Sequence, residues 1–196
     1  ERYNLMPSVD EWVIHHTLAH LEKHLHRFGS EGISLAINLS GNSLNREKLQ
    51  TYIEEQFTRF SVPPQMICFE ITETAVIHNL AQTSEFIRAL KKLGCQFALD
   101  DFGSGLSSFT YLKNLPVDYL KIDGSFVRDM VNNRINDAMV AAINNIGHVM
   151  GILTIAEFVE NKAILERLRE LGVDYAQGFG VMGLEPIEKV LRPCPR

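Results

Sequence analysis

Cysteines, long apolar runs and basic residues are all scarce in this sequence, and each scarcity argues against a class of protein. Cys68, Cys95 and Cys194 lie far apart. They form neither a CxxC pair nor an evident zinc pattern, so we expect reduced thiols in a cytosolic protein. No apolar run is long enough for a membrane-spanning helix, and residues 1–4 lack a signal-peptide core. We therefore expect no direct membrane insertion of this domain and a cytoplasmic location, either free or on the cytoplasmic side of a membrane-anchored protein.

The charge and the length narrow the choice further. The sequence has 24 acidic and 19 basic residues and a formal net charge of −5 at pH 7. Nucleic acid needs a basic surface, so we expect no nucleic-acid partner, although a small phosphorylated ligand bound through metal ions stays compatible. The 196 residues contain no linker, so we predict a single domain over residues 1–196. Because the sequence begins with Glu1 rather than methionine, we expect a longer parent protein.

Short apolar segments alternate with longer amphipathic ones along the chain. The apolar segments predict buried parallel strands over residues 33–39, 66–71, 97–99, 119–122, 153–156 and 175–176. The amphipathic segments predict helices that begin at Pro7, cover residues 44–60, 80–93, 136–150 and 162–171, and begin again at Glu185–Pro186. We expect the core to receive Val9, Val13, Leu21, Leu25 and Phe28 from the first helix, and also Trp12, Leu93 and Met139.

One junction occurs twice. Residues 93–98 and residues 171–176 both read as the end of a helix, a glycine and then a strand. This helix-to-strand unit is typical of a parallel α/β fold. Six strands would suit a doubly wound sheet, whereas a closed barrel needs eight.

The polar residues at the strand ends help to decide between these two folds. Nearly every predicted strand ends in one, and the set is Asn38, Glu70, Asp100, Asp101, Lys121, Asp123, Glu157 and Gln177. A buried carboxylate is costly unless it is paired or bound to metal. A ring of such residues at the C-terminal ends of parallel strands is typical of a barrel active site. A doubly wound sheet gathers its site at one crevice from fewer strands, so the pattern favours the barrel.

The ring also indicates a chemistry. It offers four carboxylates and one amide oxygen, from Glu70, Asp100, Asp101, Glu157 and Asn38. Oxygen ligands without cysteine or histidine favour hard divalent ions such as Mg²⁺ or Mn²⁺, and two such ions can promote hydrolysis of a phosphodiester. Lys121 is placed to orient the attacking water or to offset charge in the transition state. Any one acid alone could equally be a helix cap or a surface ion pair, but the whole set favours chemistry.

Six motifs, in order along the whole chain, resemble those of one family. The matching segments are AINLS at 36–40, FEITE at 69–73, DDFGSG at 100–105, LPVDYLKID at 115–123, AEFVE at 156–160 and QGF at 177–179. In the third segment, two adjacent acids end a strand and two glycines permit a tight turn that can aim both acids into one site. By these motifs the sequence is identified as a member of the EAL domain family of cyclic di-GMP phosphodiesterases.

The resemblance implies an α/β fold, a (β/α)₈ barrel of the TIM type, and metal-dependent hydrolysis of cyclic di-GMP to linear pGpG in second-messenger signalling. It implies metal binding by Asn38, Glu70, Asp100, Asp101 and Glu157. It implies catalysis by Lys121 together with Glu70, Asp100 and Glu157, and ligand contact by Gln177 and Asp123. It also implies that Glu73 holds the loop after Asp101, and that Glu160 supports the site or a dimer contact.

Two other functions stay open, a receptor that binds cyclic di-GMP without cleaving it and a module for dimerisation or partner docking. The intact acidic motifs favour the enzyme. The resemblance further implies a homodimer, and regulatory or cyclase-like domains in the parent chain.

The sequence departs from the family pattern in three places. The Glu-Ala-Leu segment, which supplies a metal-binding glutamate in the family, is absent together with the first two barrel strands, so we expect the 196-residue chain alone to be inactive. Phe158 stands where many members have glycine. Met182-Gly183-Leu184 stands where many have a small residue, a basic residue and proline.

Overall fold

The structure of the chain, a computed structural model, describes residues 5–31, 33–44, 47–103 and 109–187. In chain order the elements are α1 (Met6–Glu31), β1 (Leu35–Leu39), α2 (Gly41–Leu44), α3 (Glu47–Arg59), a 3₁₀ turn (Pro64–Met66), β2 (Ile67–Thr72), α4 (Glu73–His78), α5 (Leu80–Leu93), β3 (Gln96–Phe102), α6 (Phe109–Leu112), β4 (Tyr119–Ile122), α7 (Gly124–Val127), α8 (Arg134–Val149), β5 (Leu153–Ala156), α9 (Lys162–Leu171) and β6 (Tyr175–Ala176). Within these described ranges, no helix is both long and apolar enough to cross a membrane.

The six strands form one parallel sheet in which they are hydrogen-bonded in chain order, from β1 at one edge to β6 at the other. Each connection therefore adds the next strand on the same side, as in the wall of a β/α barrel. A doubly wound sheet would reverse its strand order at a switch point. The predictions of six parallel strands and of barrel rather than doubly wound topology are confirmed.

The two faces of the sheet have different surroundings, because successive side chains of a strand point to opposite faces. On the face covered by helices, Phe69, Phe97 and Leu120 are fully buried in the hydrophobic core. The other face borders a cavity of about 530 Å³, lined among others by Ala36, Cys68, Gln96, Tyr119, Ile155 and Tyr175. In β2 and β4 the residues of this second set continue to Glu70 and Lys121 near the strand ends. The strand periodicity therefore directs these charged groups to the inner face.

Glycine sets the C-terminal ends of two helices that lead into strands. α5 stops at Gly94, where φ is 110°, and α9 stops at Gly172, where φ is 73°. Both values lie in the left-handed region that glycine adopts without steric cost. The repeated helix–glycine–strand junction is thus confirmed.

A second repeat, Val-Asp-Tyr, occurs where β4 and β6 begin, and its aspartate links neighbouring strands through hydrogen bonds. Asp118 Oδ2 accepts the N–H of Phe97 in β3 at 2.9 Å, and its Oδ1 lies 2.6 Å from Lys91 Nζ. Asp174 Oδ2 accepts the N–H and the hydroxyl of Thr154 in β5 at 2.8 and 3.0 Å. Each aspartate therefore fixes the start of one strand to the strand beside it.

The buried face of α1 differs from the predicted one. Its most buried apolar side chains are Ile14, Leu18 and Leu21, whereas Val9 and Trp12 are exposed. The same face carries a buried acid, Asp10, whose Oδ2 accepts the N–H and the hydroxyl of Ser40 at 3.0 and 2.7 Å. Ile14, Leu18 and Leu21 are spaced i, i+4 and i+7, so the prediction is confirmed for Leu21 and wrong for Val9 and Trp12. Val13 and Leu25 are half-buried, and the side chain of Phe28 lies outside the described residues.

Other predictions need smaller corrections. The helix predicted over residues 44–60 corresponds to α3, Glu47–Arg59; Leu44 is the last residue of α2, and residues 45 and 46 lie outside the described residues. Leu93 and Met139 are exposed rather than buried, because the apolar stripes of α5 and α8 are wider than the surface that covers them. Glu185 and Pro186 are not helical. Ile187 is helical, and the rest of the helix predicted there, like Ser104, Gly105 and Cys194, lies outside the described residues.

Candidate metal and catalytic site

Lys121 in β4 is the centre of a buried cluster of charges. Its Nζ lies 2.9 Å from Glu70 Oε2 in β2, 2.9 Å from Asp100 Oδ1 in β3 and 2.9 Å from Glu157 Oε1 after β5. Lys121 is 3% exposed, and all three acids are buried as well. Four consecutive strands therefore bring residues that are far apart in sequence to one point.

The electrostatics of the cluster keep the ammonium charged. Burial by itself lowers the pKa of Lys121, but the neighbouring carboxylates, Glu70 foremost and then Asp100 and Glu157, raise it above its usual value. A buried lysine needs such partners, because an unpaired charge in the interior is strongly destabilising. The three acids in turn share one positively charged partner, the ammonium group of Lys121.

Asp101 joins the cluster through a local irregularity of β3. Adjacent residues of a regular strand point to opposite faces. Here the pairing between β3 and β4 shifts register between Leu99 and Phe102, and Asp101 has a positive φ of 55°. This bulge brings carboxylate oxygens of Asp101, Asp100 and Glu157 within 4.8 Å of one another. The structure thus brings both acids to one site, as the sequence predicted, but through the bulge at Asp101; Gly105 of the predicted turn lies outside the described residues.

Burial and neighbouring negative charges raise the pKa of two acids in the cluster. Burial, followed by the charges of Asp100 and Asp101, raises the pKa of Glu157 to about 7, although Lys121 acts in the opposite direction. Burial and then Asp100 also raise the pKa of Asp101. In formal charge, four carboxylates face one ammonium, so three negative charges remain. Such an excess fits hard divalent cations, which prefer carboxylate oxygens.

Asn38 lies on the inner face at the end of β1. It stands opposite Glu70 in the register of β1 and β2, and its side chain is exposed. The turn after it is held by the hydrogen bonds from Ser40 to Asp10. Asn38 is thus next to the acidic cluster in the sheet.

Glu73 does not join the acidic cluster but holds the loop that follows it. Its Oε2 accepts the N–H of Gly103 at 3.2 Å, and its Oε1 accepts the hydroxyl of Tyr111 at 2.6 Å. Gly103 comes two residues after Asp101. The carboxylate therefore connects the start of α4 to both ends of the loop between β3 and α6.

The remaining predicted residues lie on the loops around the cluster. Asp123 caps α7, where its Oδ1 accepts the N–H of Ser125 at 2.7 Å. Gln177 is exposed and borders, with Glu157 and Glu160, a cavity of about 430 Å³. Glu160 is largely exposed, and its Oε1 lies 3.7 Å from Arg128 Nε. These residues form the rim of the site rather than its buried centre.

Sequence reasoning missed two residues that hold the site. Asp10 and Tyr111 contact residues that are 30 or more positions away. Nothing in the local sequence of either residue indicates that contact. The aspartates of the Val-Asp-Tyr repeat, in contrast, could have been found by comparing the segments before β4 and β6.

The fold and the site define the class of protein, a parallel β/α barrel wall with an acidic centre at the C-terminal ends of its strands. The chain belongs to the EAL domain family, whose family model, described as EAL domain, matches residues 1–183. The resemblance drawn from the motifs is thereby confirmed.

Curated relatives and solved structures agree with this family. Cyclic di-GMP phosphodiesterase PdeB of Shewanella oneidensis is 47% identical over 187 residues, which are 95% of this chain and 22% of that protein. Cyclic di-GMP phosphodiesterase PdeA of Borreliella burgdorferi is 37% identical and is matched over 95% of this chain and 28% of its own length. The chain thus spans about a quarter of the length of these relatives.

Among solved structures, the PaMucR phosphodiesterase in complex with c-di-GMP superposes with a TM-score of 0.91 at 29% identity, over 97% of this chain and 76% of that one. The FimX EAL domain of Xanthomonas citri, also in complex with c-di-GMP, gives a TM-score of 0.86 at 28% identity, over 95% and 73% of the two chains. The predicted α/β fold of the EAL barrel type is confirmed.

Proposed function

We propose that this chain is part of a phosphodiesterase domain that hydrolyses cyclic di-GMP to linear pGpG in second-messenger signalling. The observation that carries the proposal is the cluster of Glu70, Asp100 and Glu157 around Lys121, with Asp101 beside it. Relatives with up to 47% identity bear the name of this activity. We expect the domain to act in the cytoplasm.

Two divalent ions, Mg²⁺ or Mn²⁺, complete the proposed site. Asn38, Glu70, Asp100, Asp101 and Glu157 would hold them. When bound, such ions activate a water molecule and stabilise the leaving oxygen of a phosphodiester. The donor set fits them because it consists of oxygen atoms and carries more negative charge than Lys121 can balance.

Lys121 has a separate role in this proposal. Its ammonium is fixed by three carboxylates and stays protonated. Where bound ions take over one of these carboxylates, an N–H group of Lys121 would be free to donate a hydrogen bond to the attacking water or to a phosphate oxygen. Gln177 and Asp123, on the rim, are placed to contact the nucleotide. Glu73 keeps the loop after Asp101 in position through Gly103 and Tyr111.

We also propose that the domain forms a homodimer through α8. Its exposed face carries Ile135 and Val149, which are 74% and 81% exposed, with Met139 and Ala142 between them. These residues follow a 4-3 spacing, which is typical of helix pairing. In an antiparallel pair centred on Ala142, Ile135 of one copy would face Val149 of the other, as a two-fold axis requires.

Because relatives are about four times as long, we propose that regulatory or cyclase-like domains accompany this one in the parent chain. Such domains are the natural source of the signal that controls the activity. Glu160, which contacts Arg128 on the rim, is a candidate for a contact that transmits such a signal or supports the dimer.

The test is hydrolysis of cyclic di-GMP by the full-length protein with Mn²⁺, with Asp100→Asn as the variant and Asp129→Asn, an exposed position after α7, as the matched control. We expect turnover by the wild type and the control, and a loss of at least about a hundredfold in Asp100→Asn. If the wild type binds cyclic di-GMP without hydrolysing it, the result would favour a receptor for this nucleotide instead. Neither binding nor turnover would favour a docking module.

A further inference from the structure

The loop after β5 contains a side chain in an unfavourable backbone conformation. Among the described residues, Phe158 and Asp101 are the two non-glycine residues with positive φ, and Phe158 has a φ of 52°. This left-handed region is sterically disfavoured for a residue with a Cβ atom. Phe158 directly follows the candidate metal ligand Glu157. Such strain persists only where surrounding contacts impose it, and it is concentrated at functional sites.

The contacts that impose it come from the ring of Phe158. The ring lies directly against Gly124, so closely that a Cβ atom at Gly124 would be 2.6 Å from Phe158 Cγ. The guanidinium carbon of Arg128 lies 4.0 Å from the ring centroid, within the range of a cation–π contact. The ring, although Phe158 is 46% exposed, is therefore wedged between the start of α7 and the Arg128 side chain.

The residues on either side of Phe158 are tied to other strands through their backbones. The N–H of Glu157 is bonded to Ile122 O at the end of β4, at 3.3 Å. The N–H of Val159 is bonded to Gln177 O, at 3.0 Å, and Val159 O accepts the N–H of Gly180 at 2.7 Å. With the wedged ring between these ties, the strand ends of β4, β5 and β6 are joined at one place.

We propose that Phe158 is a positioning residue whose ring, seated on Gly124, holds Glu157 in the orientation required to bind a divalent cation. The inference rests on the proposed function, since it concerns the same metal site. A ligand that is already ordered before binding loses less conformational entropy when the ion arrives. Replacement by glycine, which adopts this φ freely, removes the wedge without adding strain.

A purely structural role for the ring predicts a different result. If the ring only stabilised the fold, Phe158→Gly would lower the melting temperature and the Mn²⁺ affinity together. If it positions Glu157, Phe158→Gly leaves the melting temperature nearly unchanged, because relief of backbone strain offsets the lost contacts. The Mn²⁺ dissociation constant then rises by about tenfold, the cost of ordering one residue.

The experiment measures Mn²⁺ binding by calorimetry and thermal unfolding without metal, on the full-length protein. The variants are Phe158→Gly, Phe158→Tyr, Gly124→Ala and the double variant Gly124→Ala with Phe158→Gly. Phe179→Gly, which removes an exposed aromatic from the neighbouring loop, is the matched control. We expect wild-type affinity in Phe158→Tyr and in the control, and weaker binding in Gly124→Ala because the added methyl group displaces the ring. In the Phe158→Gly background, Gly124→Ala should raise the Mn²⁺ dissociation constant by no more than about a further twofold.

The outcomes separate this inference from the proposed function. If the wild type fails to bind Mn²⁺, the proposed function falls and the inference with it. If the wild type binds Mn²⁺ and Phe158→Gly binds equally well, only the inference is overturned. The inference is also overturned if affinity and melting temperature fall together in Phe158→Gly, or if Gly124→Ala is equally damaging with and without the ring.

Discussion

At the scale of single residues, Lys121 is the group on which the site depends. A lysine as deeply buried as this one is stable only because three carboxylates surround it, and without metal its ammonium is what offsets the repulsion among those carboxylates. The mutual dependence makes Lys121 important to the fold without metal as well as to the proposed reaction.

Replacement of Lys121 by methionine should therefore destabilise the metal-free protein by about 3–5 kcal/mol, the usual cost of leaving buried charges without their partner. Added Mn²⁺ should recover much of that loss, since a cation again balances the acids. Chemical denaturation with and without Mn²⁺ measures both effects, and Lys113→Met, at an exposed position, is the control. A loss below about 1 kcal/mol would show that the acids do not need this lysine.

The raised pKa of Glu157 leads to a prediction about pH. A carboxyl group whose pKa is higher in the folded than in the unfolded protein binds its proton more tightly in the folded state. The metal-free protein should therefore lose stability as the pH rises from the ordinary pKa of a carboxyl group through about 7. Metal binding needs the ionised form. Mn²⁺ affinity should therefore drop by about tenfold between pH 8 and pH 6, as calorimetry at the two pH values would show. Equal Mn²⁺ affinities at pH 8 and pH 6 would contradict the raised pKa of Glu157. The variant Glu157→Gln should bind Mn²⁺ weakly at both pH values.

The sequence allowed prediction of the charged residues of the site but not of what holds them. Glu70, Asp100, Lys121 and Glu157 could be inferred because each ends a recognisable strand, and strand ends of a parallel sheet meet on one side. The sequence did not allow us to infer the positive φ of Asp101 and Phe158 or the support from Asp10, because these features depend on contacts between residues distant in sequence.

At the scale of elements, the apolar periodicity located β4, β5, β6 and α9 at their observed residues, since each is a short segment bounded by polar or glycine signals. For α1, Val9 and Trp12 were wrongly predicted to be buried. The apolar residues of this helix fit two overlapping faces, and the structure buries the one with Ile14, Leu18 and Leu21.

The two aspartates of the Val-Asp-Tyr repeat offer a test at this scale. Replacing Asp118 or Asp174 with alanine leaves the N–H of Phe97 or Thr154 without its acceptor, and each change should cost about 1–3 kcal/mol of unfolding free energy. Mn²⁺ affinity should be unchanged, because both aspartates lie at the opposite ends of the strands from the site. Urea denaturation measures the loss, and Asp129→Ala should stay within about 0.5 kcal/mol of the wild type. A wild-type midpoint in both variants would mean that the repeat does not stabilise the sheet.

At the scale of the whole molecule, the apolar face of α8 raises the question of assembly. Contiguous exposed apolar residues on a protein surface are typical of an interaction surface. If two copies pair through it, Ile135→Glu should convert a dimer into a monomer in light scattering at micromolar concentration, since the new charge would be buried against Val149 of the other copy. Ile77→Glu, at an exposed apolar position of α4, should remain dimeric. A wild type that is already monomeric would contradict the dimer.

The central claim is that the acidic cluster around Lys121 is a centre for divalent cations. The most direct measurement is the anomalous scattering of crystals of the full-length protein grown with Mn²⁺. We predict manganese bound by the carboxylates of Asp100, Asp101 and Glu157, with a second ion close by. Ordered crystals that show no manganese at these three residues would contradict the account.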